Sequence, residues 1–97
     1  MQVYFHGTLR EVVGGRAIEV PFEPGGKLHQ LLAAAVDEYP VLHTKLFADD
    51  GSLAQTILIM VNGRNVRVLE ELETPIPPDA RVNIFPFFRT TSVGKNA

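Results

Sequence analysis

Hydrophobic and polar residues change period several times along the chain, and each change marks an element. Val3 and Phe5 alternate with Gln2, Tyr4 and His6, the two-residue period of a strand with one buried face. That strand is expected to fade over residues 9–13, with Gly14-Gly15 making a turn. Ile18, Val20 and Phe22 then alternate with Glu19 and Pro21 in a second strand. Its proline cannot donate to a ladder, so an edge position is expected. The two strands should form an antiparallel hairpin with its loop around Glu11 to Gly15. After Pro24-Gly25-Gly26, the residues Leu28, Leu31, Leu32, Ala35, Val36 and Tyr39 recur at the three- and four-residue spacing of one helix face. Lys27, Gln30, Ala34, Asp37 and Glu38 fall opposite. Ala33-Ala34-Ala35 favours helix, Pro40 ends it, and no Ser, Thr, Asp or Asn stands at its start, which leaves Gly26 as the cap.

Beyond the helix, residues 41–47 suit one or two helical turns that tuck Leu42, Leu46 and Phe47 against a core. Asp49-Asp50-Gly51 is a turn signal. Ile57 to Val61 is a wholly apolar strand, Asn62-Gly63 a hairpin turn, and Asn65 to Leu69 the returning strand. Glu70 to Asp79 holds three prolines and reads as a loop, with a helical turn over 69–72. Arg81 to Phe85 is the final strand. Two hairpin-like halves joined by one helix predict an α+β domain: a mixed sheet of about five strands packed on one main helix. The first and last strands are expected as central neighbours, which is a β-grasp, ubiquitin-like arrangement.

Composition narrows the function classes. Ninety-seven residues, 45% hydrophobic and 21% charged, suit a single globular domain. The net charge of -2 comes from mixed acids and bases with no basic block, so nucleic acid is not an expected partner. No cysteine is present, which removes disulfides and thiolate chemistry and fits a reducing compartment. The first residues lack the charged start and apolar core of a signal peptide, and the longest apolar run, Ile57 to Val61, is too short to span a bilayer. A cytoplasmic protein that does not enter membranes is expected.

Candidate chemistry is sparse. His6, His29 and His43 lie in separate elements without ligand spacing, so structural or solvent-facing roles are expected and no metal site is assigned. Ser52 and Ser92 have no neighbouring histidine or acid signal. Asp49-Asp50 and Glu70-Glu71 read as solvated loop charges, and Gly25-Gly26-Lys27 lacks the spacing of a phosphate loop. No catalytic residue and no cofactor are assigned; the expectation is a carrier or binding protein, not an enzyme. The aromatic cluster near the end is more informative. Alternation places Phe85 and Phe87 on one face of the last strand and Phe88 on the other, so one set is expected in the core and the other at an interface. Arg64, Arg67, Arg81 and Arg89 are expected to be solvated, with Arg89 placed to steer an acidic partner.

Several stretches, in this order and spacing, resemble the MoaD/ThiS family, and the MoaD side of it most. They are Phe5-His6-Gly7-Thr8-Leu9-Arg10-Glu11, Tyr39-Pro40 before Leu42, Leu46-Phe47 before Asp50-Gly51, Val61-Asn62-Gly63-Arg64-Asn65-Val66-Arg67, Leu72-Glu73-Thr74-Pro75-Ile76, and Asp79-Ala80-Arg81-Val82-Asn83-Ile84-Phe85-Pro86. The resemblance implies a ubiquitin-like fold over residues 1–89 with a flexible C-terminal tail over 90–97. It also implies a role in molybdenum or tungsten cofactor (molybdopterin) biosynthesis, with a MoaE-like synthase subunit or a MoeB-like activating enzyme as partner. In the family, an activating enzyme adenylates a terminal Gly-Gly carboxylate, which then receives sulfur.

Here Thr90-Thr91 stand where that pair is expected, β-branched and wider than glycine, and six further residues follow. The expectation is a MoaD-like protein acting through protein–protein binding and not as a standard thiocarboxylate carrier, with Phe85, Pro86, Phe87, Phe88, Arg89, Thr90 and Thr91 as the partner-binding segment and tail. Two alternatives stand beside it: a true sulfur carrier activated at a non-Gly-Gly or processed C-terminus, and a ubiquitin-like adaptor or accessory subunit of another complex.

Overall fold

The computed structural model describes residues 1–86; the expectations for Phe87, Phe88, Arg89, Thr90, Thr91 and the tail to Ala97 lie outside the described residues. The elements run β1 (Gln2–Phe5), α1 (Leu9–Val13), β2 (Ala17–Glu19), α2 (Leu28–Glu38), α3 (Leu42–Leu46), β3 (Ile57–Val61), β4 (Arg64–Asn65), two short 3₁₀ turns (Val66–Val68 and Glu71–Glu73) and β5 (Val82–Pro86). The described strands form one five-stranded sheet in the order β2-β1-β5-β3-β4. β1 and β5 are parallel central neighbours, with Val3 opposite Val82 and Phe5 opposite Ile84. The other contacts between neighbouring strands are antiparallel. This is the mixed α+β, β-grasp sheet expected from the order of elements, with β2 at an edge.

One face of the sheet carries the core. Val3, Phe5, Ile18, Ile57, Ile59, Val61, Val82 and Ile84 are buried beneath α2, which contributes Leu28, Leu31, Leu32 and Ala35. Each fully buried Leu or Phe is worth about 1.5–3 kcal/mol relative to exposure, so this one layer contributes most of the stabilisation the fold has available. Leu42 and Leu46 of α3 close one side of it. No helix among the described residues is long and apolar enough to cross a membrane.

Five local expectations change. The second strand runs only from Ala17 to Glu19, so Val20, Pro21 and Phe22 lie beyond it and its edge position does not come from the proline. Residues 9–13 are not a fading strand but one turn and a half of helix. Leu9 and Val13, four residues apart, are both buried, and Gly14 ends the turn at φ +74°, where its N–H donates to the Arg10 carbonyl at 2.8 Å. The cap of α2 is Lys27, not Gly26. Lys27 is extended and its N–H donates to Gln30 Oε1 at 2.8 Å, while the Leu28 N–H donates to the Thr74 carbonyl at 2.9 Å. A neighbouring loop thus satisfies a helix-end donor that local sequence leaves open. β4 is only two residues long, because Asn65 Oδ1 accepts the Arg67 N–H at 2.9 Å and turns the chain into a 3₁₀ turn. Finally, Arg67 is not solvated. It is half-buried and its guanidinium donates to the Ala54 carbonyl at 2.6 Å and the Ile57 carbonyl at 3.3 Å. It thereby covers the stretch of β3 that β4 is too short to pair.

Candidate interaction face and the base of the last strand

The register decides what lies on the side of the sheet away from α2. Residues paired across strands share a face. Val3, Phe5, Ile18, Ile59, Val82 and Ile84 point to the core, so Tyr4, Asn83, Phe85, Leu58 and Met60 point the other way. Leu58 sits opposite Phe85, and Met60 and Tyr4 both sit opposite Asn83. These five side chains are half-buried, and the buried side chains of α2 belong to the core on the opposite face. An apolar stripe across three strands without a covering layer is the composition of a contact surface.

Charge on this face is one-sided. The Arg81 guanidinium lies over the Tyr4 ring, 4.5 Å from its centroid, a cation–π placement that holds a positive charge beside the stripe. The acid on the outer strand, Glu19, is paired with the Met1 ammonium group. The molecule is acidic overall, yet this face sets Tyr4, Leu58, Met60 and Phe85 around Asn83, with Arg81 beside Tyr4.

At the end of the stripe, β5 meets the segment after β1. His6 stacks on Phe85 with ring centroids 4.1 Å apart and planes 13° from parallel. Its Nε2 lies 2.9 Å from Asn83 Oδ1, and its Nδ1 lies 3.5 Å from an Arg10 guanidinium nitrogen. Arg10 can only donate, so in the tautomer that accepts from it at Nδ1 the other ring nitrogen, Nε2, is the donor to Asn83 Oδ1. Arg10 Nε also donates to the Phe5 carbonyl at 2.9 Å, and the His6 N–H donates to the Ile84 carbonyl at 3.0 Å. α1 places Arg10 here, one turn after His6, while its Leu9 and Val13 enter the core.

Of the expected site residues, Phe85 falls on the open face and not in the core. Pro86 ends β5 beside Gly7. His6, Asn83 and Arg10 were not expected here. His6 and Asn83 are 77 residues apart in sequence, so no local pattern links them.

Other features offer no chemistry of their own. The described residues contain no group of three or more His, Asp or Glu that could hold a metal ion. His29 lies 3.9 Å from Glu73 on the surface, and His43 packs against Phe47. Glu73 is held below the usual carboxylate range by a hydrogen bond from Lys27 at 2.9 Å, and Lys27 is correspondingly raised. Asp50 is lowered by hydrogen bonds from the Ser52 hydroxyl and N–H. These are exposed turn and surface pairs, as expected for loop charges.

Comparison with known proteins gives the same fold. The chain is 28% identical over 86 residues to small archaeal modifier protein 3 of Haloferax volcanii, covering 89% of this chain and 92% of that one. The crystal structure of SAMP1 from the same organism superposes with a TM-score of 0.79 at 26% identity, covering 97% of this chain and 98% of the other. A putative molybdopterin converting factor subunit 1 from Pyrococcus furiosus superposes with a TM-score of 0.70 over 90% of this chain and 95% of its own; at 19% identity it shows a shared fold. The ThiS family model matches residues 3–89, from the first residue of β1 that enters the core to just past β5, and the chain therefore belongs to the ThiS family of ubiquitin-like small modifiers and sulfur carriers.

Proposed function

We propose that this protein acts by binding protein partners through the open sheet face and the end of β5, as a MoaD-like component of molybdenum or tungsten cofactor biosynthesis, and not as a standard thiocarboxylate carrier. The observation that carries the binding reading is the uncovered stripe of Tyr4, Leu58, Met60 and Phe85, with Arg81 at its margin. It fits a partner surface with an apolar centre and an acidic rim, of the kind a MoaE-like synthase subunit or a MoeB-like activating enzyme would offer. In this reading residues 1–89 are the ubiquitin-like unit and residues 90–97 the tail. Phe85, Pro86, Phe87, Phe88, Arg89, Thr90 and Thr91 form the segment that meets the partner. What speaks against standard sulfur carriage is the pair Thr90-Thr91, whose branched side chains are a poor substitute for glycines that must thread a narrow channel.

A second reading has its own support. The 28% identity to a small archaeal modifier protein over most of both chains favours a modifier or carrier whose terminus is activated despite its sequence. One experiment separates the two. The protein is incubated with an activating enzyme, ATP and a sulfur donor, and its intact mass is measured. An unchanged mass is expected; the gain that accompanies replacement of one carboxylate oxygen by sulfur would establish the carrier. The binding face is tested by pull-down of a MoaE-like subunit with Leu58→Asp and Phe85→Ala variants. Both are expected to lose partner that wild type retains, and equal retention would remove this face from the interface.

A further inference from the structure

We propose that the groove between α2 and α3 is a second docking site, for a basic segment of a partner protein that inserts an apolar side chain. Ala33, Val36 and Asp37 of α2, His43 and Phe47 at α3, and Gly51 of the turn that follows line a groove of about 320 Å³. α3 accounts for much of its apolar lining. Leu42 and Leu46, four residues apart, are buried in the core. His43 and Phe47, the next pair at that spacing, line the groove with ring centroids 5.4 Å apart. Phe47 was expected to tuck against the core; it does so on one side only and is half-buried. On α2, Leu28, Leu31, Leu32 and Ala35 take the sheet side, which leaves Ala33 and Asp37 exposed, one turn apart, with the half-buried Val36 between them. The short Ala33 side chain leaves the space between the helices open.

Charge selects the occupant. Asp37 lines the groove, and Asp50 directly precedes Gly51 at its end. Among the described residues no lysine or arginine lines it. Lys45 stands two residues on from His43 and so on the other side of that helical turn. An apolar floor with an acidic margin fits an apolar side chain flanked by lysine or arginine. The far wall is built in advance. The Ala48 N–H donates to the Ser52 carbonyl at 2.8 Å and the Gly51 N–H to the Ala48 carbonyl at 3.0 Å. Asp50 Oδ1 accepts from the Ser52 N–H and hydroxyl at 3.0 and 2.6 Å. A preformed wall lowers the ordering cost of binding. The groove belongs to the helical layer, and the stripe of Tyr4, Leu58, Met60 and Phe85 to the opposite face of the sheet. A partner held in the groove leaves that stripe free, and neither reading depends on the other.

The test titrates the isotope-labelled full chain with acetyl-Arg-Leu-Leu-Arg-amide and follows backbone amide shifts. Saturable shifts are expected at millimolar peptide, centred on residues 33–37, 43–47 and 51. The charge-reversed acetyl-Glu-Leu-Leu-Glu-amide should bind at least about fivefold more weakly at low salt, and the difference should shrink at high salt. Acetyl-Arg-Gly-Gly-Arg-amide, which has no apolar side chain, should give no saturable shift there. Ala33→Arg places a long cationic side chain at an exposed helix position that tolerates it, and should keep the fold but lose the binding. Asp37→Asn should weaken the basic peptide severalfold, and Lys45→Gln should leave it unchanged. Shifts that do not saturate, shifts centred on the sheet stripe, equal binding of both charged peptides, or undiminished binding to Ala33→Arg overturn the proposal. Groove amides that move on dilution without peptide would assign the groove to a second copy of this chain. Groove amides that move when residues 90–97 are removed would assign it to the chain's own end. Either result also overturns the proposal.

Discussion

Arg67 makes the sharpest stability test, because its role is invisible in the sequence and quantifiable in the structure. Its guanidinium donates to the carbonyls of Ala54 and Ile57 at 2.6 and 3.3 Å, where β3 has no partner strand on its outer side. Arg67→Ala removes both donors and leaves two half-buried acceptors at a strand edge. A hydrogen bond to a charged donor is worth about 1.5–3 kcal/mol. The 3.3 Å contact is weak and the site reaches solvent, so the pair together should cost about 2 kcal/mol. A domain of this size has about 5–15 kcal/mol in all, so the loss is measurable without abolishing folding. With a urea m-value of about 1.5 kcal/mol per molar, the midpoint should fall by about 1.3 M at unchanged m. Arg64→Ala, an exposed arginine in β4 with no such bonds, serves as control and should stay within about 0.5 kcal/mol. Arg67→Lys keeps the charge but not the two-pronged donor geometry and should fall between. If Arg67→Ala and Arg64→Ala shift the midpoint equally, the carbonyl cap contributes nothing and the reasoning fails. A second readout is self-association: an uncapped strand edge should raise the dimer or aggregate fraction in sedimentation at high concentration, and Arg67→Lys should not.

Asn62 occupies φ +51° and its Oδ1 accepts the Arg81 N–H at 2.8 Å, so Asn62→Ala should cost about 2 kcal/mol. Asn62→Gly keeps the backbone freedom, loses only the bond and should cost less; equal losses by chemical denaturation would mean that the bond is idle. The Lys27–Glu73 pair gives a pH prediction. Glu73 is lowered in the folded state, so its contribution is present above the ordinary glutamate range and lost as pH falls through the lowered value. Lys27 is raised, so its contribution is complete below the ordinary lysine range and lost as pH rises through the raised value. Melting temperature measured across pH should therefore show a shallower acid limb in Lys27→Gln than in wild type, and the difference should shrink in high salt because both groups are exposed. A salt-independent difference would point to packing of the lysine stem instead.

The elements that were legible from sequence were those whose period is long or whose turn is chemically distinctive. Leu28 to Tyr39 spells one helix face, and Asn62-Gly63 adopts the positive φ at both positions that such a pair permits. The α1 turn was legible in principle: Leu9 and Val13 stand four apart and Gly14 follows. A single turn, however, carries too few residues for its period to outweigh the alternation before it. The Asn65 side chain cuts β4 short through a hydrogen bond to the backbone two residues on, a competition that hydrophobic pattern does not register. Arg67 looked like any surface arginine because what it caps is a missing neighbour, which is a property of the assembled sheet. His6 was unremarkable for the same reason. It acquires its meaning from Phe85 and Asn83, which reach it only when the two ends of the chain meet.

The parallel pairing of β1 with β5 also sets the timing of folding. Val3 must wait for Val82, and Phe5 for Ile84, before the middle of the sheet exists. A chain emerging from the ribosome can form α2 by local contacts, but its central ladder spans nearly the whole polypeptide, the kind of non-local closure that comes late. A nascent fragment lacking β5 would leave the inner edges of β1 and β3 both unpaired, so interrupted synthesis should yield a degradable chain and not a partly working one. The sheet thus lacks its middle strand until β5 has been made, and the core is completed last.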